Sequence, residues 1–308
     1  MTAHMQHTRG ALSGRTFLVP DVGVDALPPG VIVDGQVDAR FVRADAPSAG
    51  DPDSRSFRHR FGLIVPATNT IMEQELWSLL IGNGASAGLD GVGLHTTPVV
   101  TPKPDISTAA GVAEFRAGFL SGLDDAAQTA LLGTPQYMIL GMSLEHILVG
   151  MDSISETMDR VEHGSDLGWA TWHHAVRSAL GVLGATRIGL LTPFEASGNA
   201  SAIRMFNDMG IDVVASVGLA CNSLQKLAHL PDWAKEQAIT EVLATPGNRL
   251  DAVVQCGTGM SMLNVLDRLE TSTGVPIVAI NPTLLWYALR ENGFAQPLQG
   301  AGRLLREH

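Results

Sequence analysis

A cysteine that closes an apolar run and is followed at once by glycines is the first residue in this chain to suggest chemistry. In DAVVQCGTGMSML, Cys256 ends a stretch that reads as a buried strand, and Gly257, Thr258 and Gly259 come directly after it. Backbone N–H groups freed by such a turn, and a helix dipole ahead of the thiol, lower its pKa and make it a better acid or nucleophile near neutral pH. The competing reading is a small core residue, since free cysteine is among the most buried residue types. The glycines favour reactivity.

Two further segments could hold a substrate beside that thiol. In VPATNTIMEQEL a strand turns through Pro66, Ala67, Thr68, Asn69 and Thr70 into a helix with an acidic first turn. Backbone N–H groups, an amide and hydroxyls at a helix N-terminus suit a carboxylate, although Thr68 or Asn69 would serve equally as a simple helix cap. In LGMSLEHILVG, Gly141 lets a ligand approach the backbone and Ser143 offers a hydroxyl. Glu145 and His146 follow as candidate acid/base groups. Neighbours in sequence point to different faces of a helix, so at most one of that pair is expected to face a cleft.

The histidines His163, His173 and His174 lack the spacing of a metal site and are expected to be polar surface residues. No phosphate-cradling GxxxxGK[ST] is present, and no GxGxxG follows the first strand, so neither a metal nor a nucleotide cofactor is expected.

The elements that must position these residues alternate. From Phe61 onward, short apolar runs separate helix-like segments, the pattern of parallel βαβ units. The runs are FGLIVP (61–66), GVGLHTTPV (91–99), YMILG (137–141), RIGLLTP (187–193), IDVVASV (211–217), DAVVQC (251–256) and PIVAI (276–280). A weak internal repeat relates FGLIVPATNTIMEQEL to IGLLTPFEASGNASAIRMF, and YMILGMS to DAVVQCGTG. It puts Gly141 and Cys256 at equivalent strand ends. The fold class that follows is α/β: two pseudo-symmetric lobes, each a mostly parallel sheet flanked by helices, with the active site in the cleft between them, since open α/β sheets bind ligands at the carboxyl ends of their strands.

Residues 1–57, rich in Pro, Gly and Asp, read as an N-terminal extension, an arm or partly disordered segment, with a short strand conceivable in GVIVDG or ARFVRA. The first lobe is assigned to 58–184 plus 283–308 and the second to 185–282.

Composition sets outer bounds. The 308 residues suffice for two modest lobes, and 45% hydrophobic with 17% charged residues is an ordinary globular balance. A formal net charge of −11 with no run of Lys or Arg argues against nucleic acid as a partner. No apolar stretch reaches the roughly 20 residues that span a bilayer, and the N-terminus lacks a signal peptide's order, so a cytoplasmic, membrane-free protein is expected. Two cysteines, Cys221 and Cys256, are too few for a disulfide framework. Whether the chain forms a homo-oligomer is left open.

Taken together, these motifs resemble the Asp/Glu racemase superfamily and, within it, the maleate cis-trans isomerase and arylmalonate decarboxylase group. The matching pieces are VPATNT, LGMSL, LLTPFEASGN and QCGTG followed by GVPIVAINPTLLWYALRENG, over roughly residues 58 to 308. The resemblance implies a small carboxylate or dicarboxylate as the substrate, no cofactor, and cysteine as the proton carrier. It implies substrate contacts at Pro66, Asn69, Thr70, Gly141, Met142, Ser143, Phe194, Gly257 and Thr258, and more loosely at Asn222. Asn69, Ser143, Gly257 and Thr258 would be the oxyanion donors. Racemases and maleate isomerases of this kind carry one cysteine per lobe, whereas the decarboxylase pattern has glycine in the first lobe and a single cysteine in the second. Gly141 with Cys256 fits the latter. Two departures stand out: Phe194 where the group has a tyrosine hydroxyl, and Met142 where the decarboxylase loop has a hydroxyl residue. A maleate isomerase lacking the first-lobe cysteine, with Glu145 or His146 in its place, and a non-catalytic carboxylate-binding homologue are the alternatives.

Overall fold

The computed structural model describes residues 55–100, 108–146 and 150–308, with residues 53 and 148 and the backbone of four short strands nearer the N-terminus. Those four strands pair as two antiparallel ribbons, β1 (Thr8–Leu12) with β2 (Arg15–Val19), and β3 (Val31–Val33) with β4 (Gln36–Asp38). Residues 1–57 read from sequence chiefly as an extension or arm; β3 lies in GVIVDG, one of the two places where a short strand is conceivable, and the other, ARFVRA, falls outside the described residues. The sequence between β3 and β4 contains Asp-Gly, a strong short-range hairpin signal.

Two four-stranded sheets carry the rest of the chain. The first contains β5 (His59–Pro66), β6 (Val92–Val99), β7 (Tyr137–Leu140) and β8 (Trp169–Ala170), in the order β6-β5-β7-β8 and all parallel. The second contains β9 (Arg187–Thr192), β10 (Asp212–Gly218), β11 (Ala252–Gln255) and β12 (Ile277–Ala279), in the order β10-β9-β11-β12 and again all parallel. The two orders are the same permutation, so the repeat seen in sequence is a repeat of topology: β5 corresponds to β9, and β7 to β11.

All seven expected runs are strands. The eighth, β8, has only two residues, too few to leave any periodicity in the sequence.

The central strands are buried on both faces, which is why they read as continuous apolar runs rather than alternating ones. Phe61, Leu63 and Ile64 of β5 and Met138, Ile139 and Leu140 of β7 are fully buried. In the second sheet the period of two separates two cores. Ile188, Leu190 and Val254 point into the core shared with the first sheet, and Leu191 and Val253 into a smaller one on the opposite face.

Helices follow the strands: α1 (Met72–Asn83), α2 (Ala109–Leu131), α3 (Met151–His163), α4 (Trp172–Leu183), α5 (Ala196–Asp208), α6 (Asp232–Gln237), α7 (Leu266–Thr273), α8 (Ile280–Glu291) and α9 (Gly302–Glu307). Helix α4 buries Trp172, His173, Ala175, Val176, Ala179 and Leu180, one face of a 3.6-residue period. It ends at Gly184, whose φ of 63° is the left-handed conformation that glycine adopts without strain. Helix α8 crosses back to pack on α1, α4, β7 and β8, while α9 packs on α7, α8 and β12. Among the described residues no helix is long and apolar enough to cross a membrane.

Candidate active site

The carboxyl ends of β5, β7, β9 and β11 come together, and hydrogen bonds between side chains and backbone join the two sheets there. The Gly257 N–H donates to Ser143 Oγ at 2.9 Å, and the Thr258 hydroxyl donates to the Gly141 carbonyl at 3.1 Å. Asn69 Nδ2 donates to Thr258 Oγ1 at 3.0 Å. Segments 189 residues apart in sequence are thus tied through one threonine.

Asn69 does two jobs at once. Its side-chain carbonyl accepts from the Ile71 and Met72 N–H groups at 2.9 and 3.0 Å, closing the start of α1, while its amide reaches across to the second sheet. The capping reading and the site reading of this residue therefore both apply to the geometry.

A small cavity of about 40 Å³ opens at this junction. Of the residues expected at the site, Pro66, Asn69, Met142, Ser143, Phe194, Gly257 and Thr258 line it. Leu224 and Leu227, from the 3-10 turn Leu224–His229 after β10, cover it. Gly141 contributes its carbonyl to Thr258 instead of a wall. Thr70 is exposed and lies on an outer groove beside Glu73 and Trp77. Asn222 is exposed and away from the cavity. The His146 side chain is outside the described residues.

Thr258 Oγ1 accepts from Asn69 and donates to Gly141, so its one proton is spent. Ser143 accepts from Gly257 and keeps its own hydrogen for a second partner, a ligand in the cavity or the Glu145 carboxyl behind it. One hydrogen of the Asn69 amide is likewise unspent. Thr68 also lines the cavity, and Met142, Phe194, Leu224 and Leu227 form its apolar part. A carboxylate held at the polar end would project its other substituents into a dry wall.

Gly141, which matches Cys256 at the strand end, and Gly257, one residue beyond Cys256, are both sites of close approach. A Cβ at Gly141 would lie 2.6 Å from Met72 Sδ, 2.7 Å from Val65 Cγ1 and 2.9 Å from the Ile64 carbonyl. Gly257 has φ 93°, and a Cβ there would meet the Pro193 ring at 2.6 Å.

Cys256 is fully buried, and its N–H completes the ladder with Leu191. Its thiol pKa is raised, not lowered as the glycine-flanked position suggested. Burial is the first cause, and the Glu145 carboxyl beside the sulfur is the second; Trp172 Nε1 acts weakly the other way. In the turn that follows, the Gly257 N–H is taken by Ser143 Oγ, and Gln255 Nε2 donates to the Cys256 and Gly257 carbonyls at 2.6 and 3.0 Å. Glu145 itself is 1% exposed, and burial pushes its pKa up to about 7.

The histidines divide. His163 is exposed and bonded to the Asp159 carbonyl, and His174 is exposed, as expected of surface residues. His173 is not: it is buried at the start of α4, and desolvation lowers its pKa to about 3.

Sequence reasoning missed a second buried carboxylate. Glu75, on the inward face of α1 with Met72, Leu76 and Leu79, is 2% exposed. It accepts from Ser261 Oγ and, at 2.6 Å, from Asn281 Nδ2, whose amide also holds the Thr258 carbonyl at 3.0 Å. A signal was available: an acidic residue on the apolar stripe of an otherwise amphipathic helix needs buried partners.

Comparison with known proteins places this geometry in context. The family model described as arylmalonate decarboxylase matches residues 121–305, more than half of the chain. The maleate isomerase of Nocardia farcinica is 24% identical over 252 residues, covering 80% of this chain and 96% of that protein. Among solved structures, the maleate isomerase Iso of Pseudomonas putida S16 superposes with a TM-score of 0.70 at 20% identity, over 81% of this chain and 98% of the other. A doubly substituted arylmalonate decarboxylase in its liganded form gives 0.68 at 17% identity, over 81% and 100%.

Proposed function

The chain belongs to the arylmalonate decarboxylase family, and from that membership we propose that it decarboxylates a small malonate-like dianion without a cofactor, with Cys256 as the proton donor. One carboxylate sits at the polar end of the cavity, against the Ser143 hydroxyl, the Asn69 amide and the backbone around Gly257 and Thr258. The other faces the apolar lining, where loss of hydration favours its departure. The carbon–carbon bond breaks, CO2 leaves, and the electron pair delocalises onto the retained carboxylate as an enediolate. The Cys256 S–H bond then breaks as a C–H bond forms on one face of the α-carbon.

The observation that carries this reading is the single thiol. Cys256 follows β11, while the matching position after β7 is Gly141, where a side chain would collide with Met72, Val65 and the Ile64 carbonyl. Racemisation needs an acid and a base on opposite faces, and addition to a double bond needs a thiolate. A thiol whose pKa is raised by burial and by Glu145 is an acid, not a standing nucleophile.

The test is incubation with 2-methyl-2-phenylmalonate, following CO2 and the enantiomeric composition of the 2-phenylpropionate formed. The expected result is one enantiomer in excess, with Cys256→Ala folded but without turnover. Full activity in that variant would sink the proposal. Conversion of maleate to fumarate would replace it with isomerisation, and a thermal shift with malonate but no product from any of these acids would replace it with binding alone.

A further inference from the structure

Cys256 lies one residue behind Gly257 of the cavity wall, and the groups that act on its sulfur are Glu145 and Trp172. Neither oxygen of the Glu145 carboxyl has a hydrogen-bond partner of ordinary geometry, and nor has Trp172 Nε1. Glu145, Trp172 and His173 border a small void with Leu144, Ile154 and Met205, and this void shares no residue with the substrate cavity. Burying a carboxyl this completely costs free energy unless it is neutral or paired, and no cation is among the groups that shift it.

The surroundings leave the carboxyl few partners for proton exchange. The turn after β7 brings the Ser143 hydroxyl, the strand end after β11 brings the thiol, and the start of α4 brings Trp172 and His173. Helices α3 and α5 bring only Ile154 and Met205. Among these described side chains, the one titratable group besides the thiol is His173, which burial keeps neutral.

We propose that Glu145 is the proton reserve of Cys256, returning a proton to the sulfur each time the thiol has given one to the substrate carbanion. The inference rests on the protonating role of Cys256 proposed above. The steps balance without any redox change. The S–H bond breaks as the C–H bond forms and leaves a thiolate; the Glu145 O–H proton passes to sulfur and leaves a carboxylate; one proton taken up from solvent for each CO2 released then restores the carboxyl. The direction of each pKa agrees. Glu145, raised to about 7, holds its proton at neutral pH, and a thiolate beside an ionised carboxylate is disfavoured, so the single negative charge ends on Glu145. The Trp172 N–H favours charge on sulfur during the transfer.

The experiment uses Glu145→Gln and Glu145→Asp in a Cys221→Ala background, so that one thiol remains, with melting curves to establish folding. Thiolate absorbance is titrated first, without substrate. In Glu145→Gln the Cys256 midpoint is expected to fall by about one pH unit or more, about tenfold more thiolate at a given pH. With 2-methyl-2-phenylmalonate, Glu145→Gln is expected to give a burst of one product per site, then a steady rate at least about tenfold below the parent with KM little changed. Glu145→Asp should recover part of that rate. The parent kcat should decline as pH rises through about 7, where Glu145 loses its proton, and the glutamine variant should lack that limb. An unchanged thiol midpoint, or parental turnover and pH profile in Glu145→Gln, overturns the proposal. If the parent does not turn over the probe while the midpoint still moves, the decarboxylase reading fails, the thiol–carboxyl linkage stands, and its role as a reserve in turnover is rejected.

Discussion

At the residue scale, Asn69 shows how one side chain can be asked two separate questions. Its Oδ1 serves α1 and its Nδ2 serves Thr258, so the two ends can be changed independently. Asn69→Ala removes both and is expected to cost about 1–2 kcal/mol in denaturant unfolding, the range for losing a helix cap. Asn69→Asp keeps the capping oxygen and loses the donor. It should retain most of the stability yet lose the thermal stabilisation by malonate that the proposed function predicts for the parent protein. Equal loss of stability in both variants would mean that the capping oxygen contributes nothing. Cys256 makes the complementary point: glycines after a thiol are read from sequence as freed N–H groups, but the thiol is buried and Glu145 stands beside the sulfur, so the pKa moves the other way.

At the element scale, α1 is the member that couples the sheets. It follows β5 of the first sheet, yet its Glu75 bonds to Ser261 and Asn281, both from the second sheet's connections. Asn281 in turn holds the Thr258 carbonyl, so Glu75 supports the cavity wall at one remove. Glu75→Ala leaves the Asn281 amide with one partner fewer in a buried setting, and is expected to destabilise by about 2–3 kcal/mol, as for a buried polar group left unsatisfied. Thermal unfolding measures it, and the parent value retained in Glu75→Ala would contradict the network. Opposite this helix, Lys235 on α6 is 2% exposed and donates to Asp232 and to the Ser261 carbonyl at 2.6 and 2.7 Å, so the same loop is held from both sides.

At the scale of the whole molecule, two buried titratable groups give stability opposing slopes with pH. Glu145 has its folded pKa raised from 4.5 to about 7, so between those values the folded state holds the extra proton and stability falls as pH rises. His173 has its folded pKa lowered from 6.5 to about 3, so between those values the unfolded state holds the extra proton and stability rises with pH. The two partly cancel in the parent over the window they share. Comparison with Glu145→Gln isolates one of them: the variant's stability relative to the parent should increase from pH 4.5 to about 7, by on the order of 3 kcal/mol at 1.36 kcal/mol per pKa unit. Chemical denaturation at a series of pH values measures it, and a difference that stays flat would place the Glu145 carboxyl near its ordinary pKa.

The fold was open to reading because its signals are local. Strands buried on both faces must be apolar throughout, so FGLIVP, YMILG and DAVVQC announce themselves, and two copies of one topology leave an alignable trace. The same is true of the turns, where Asn69, Ser143, Gly257 and Thr258 are of the kinds that a carboxylate site needs. What sequence could not contain is which face a polar residue turns to and what it meets there. Thr70, one residue after Asn69, points out of the site. His173, next to an exposed histidine, is buried. Glu75 and Glu145 read as helix-start and acid/base residues, but each acquires its character from groups more than a hundred positions away. Local periodicity chooses the elements; only the packing of two sheets against each other removes water from a carboxyl and sets a thiol beside it, and that desolvation decides which of them holds the proton.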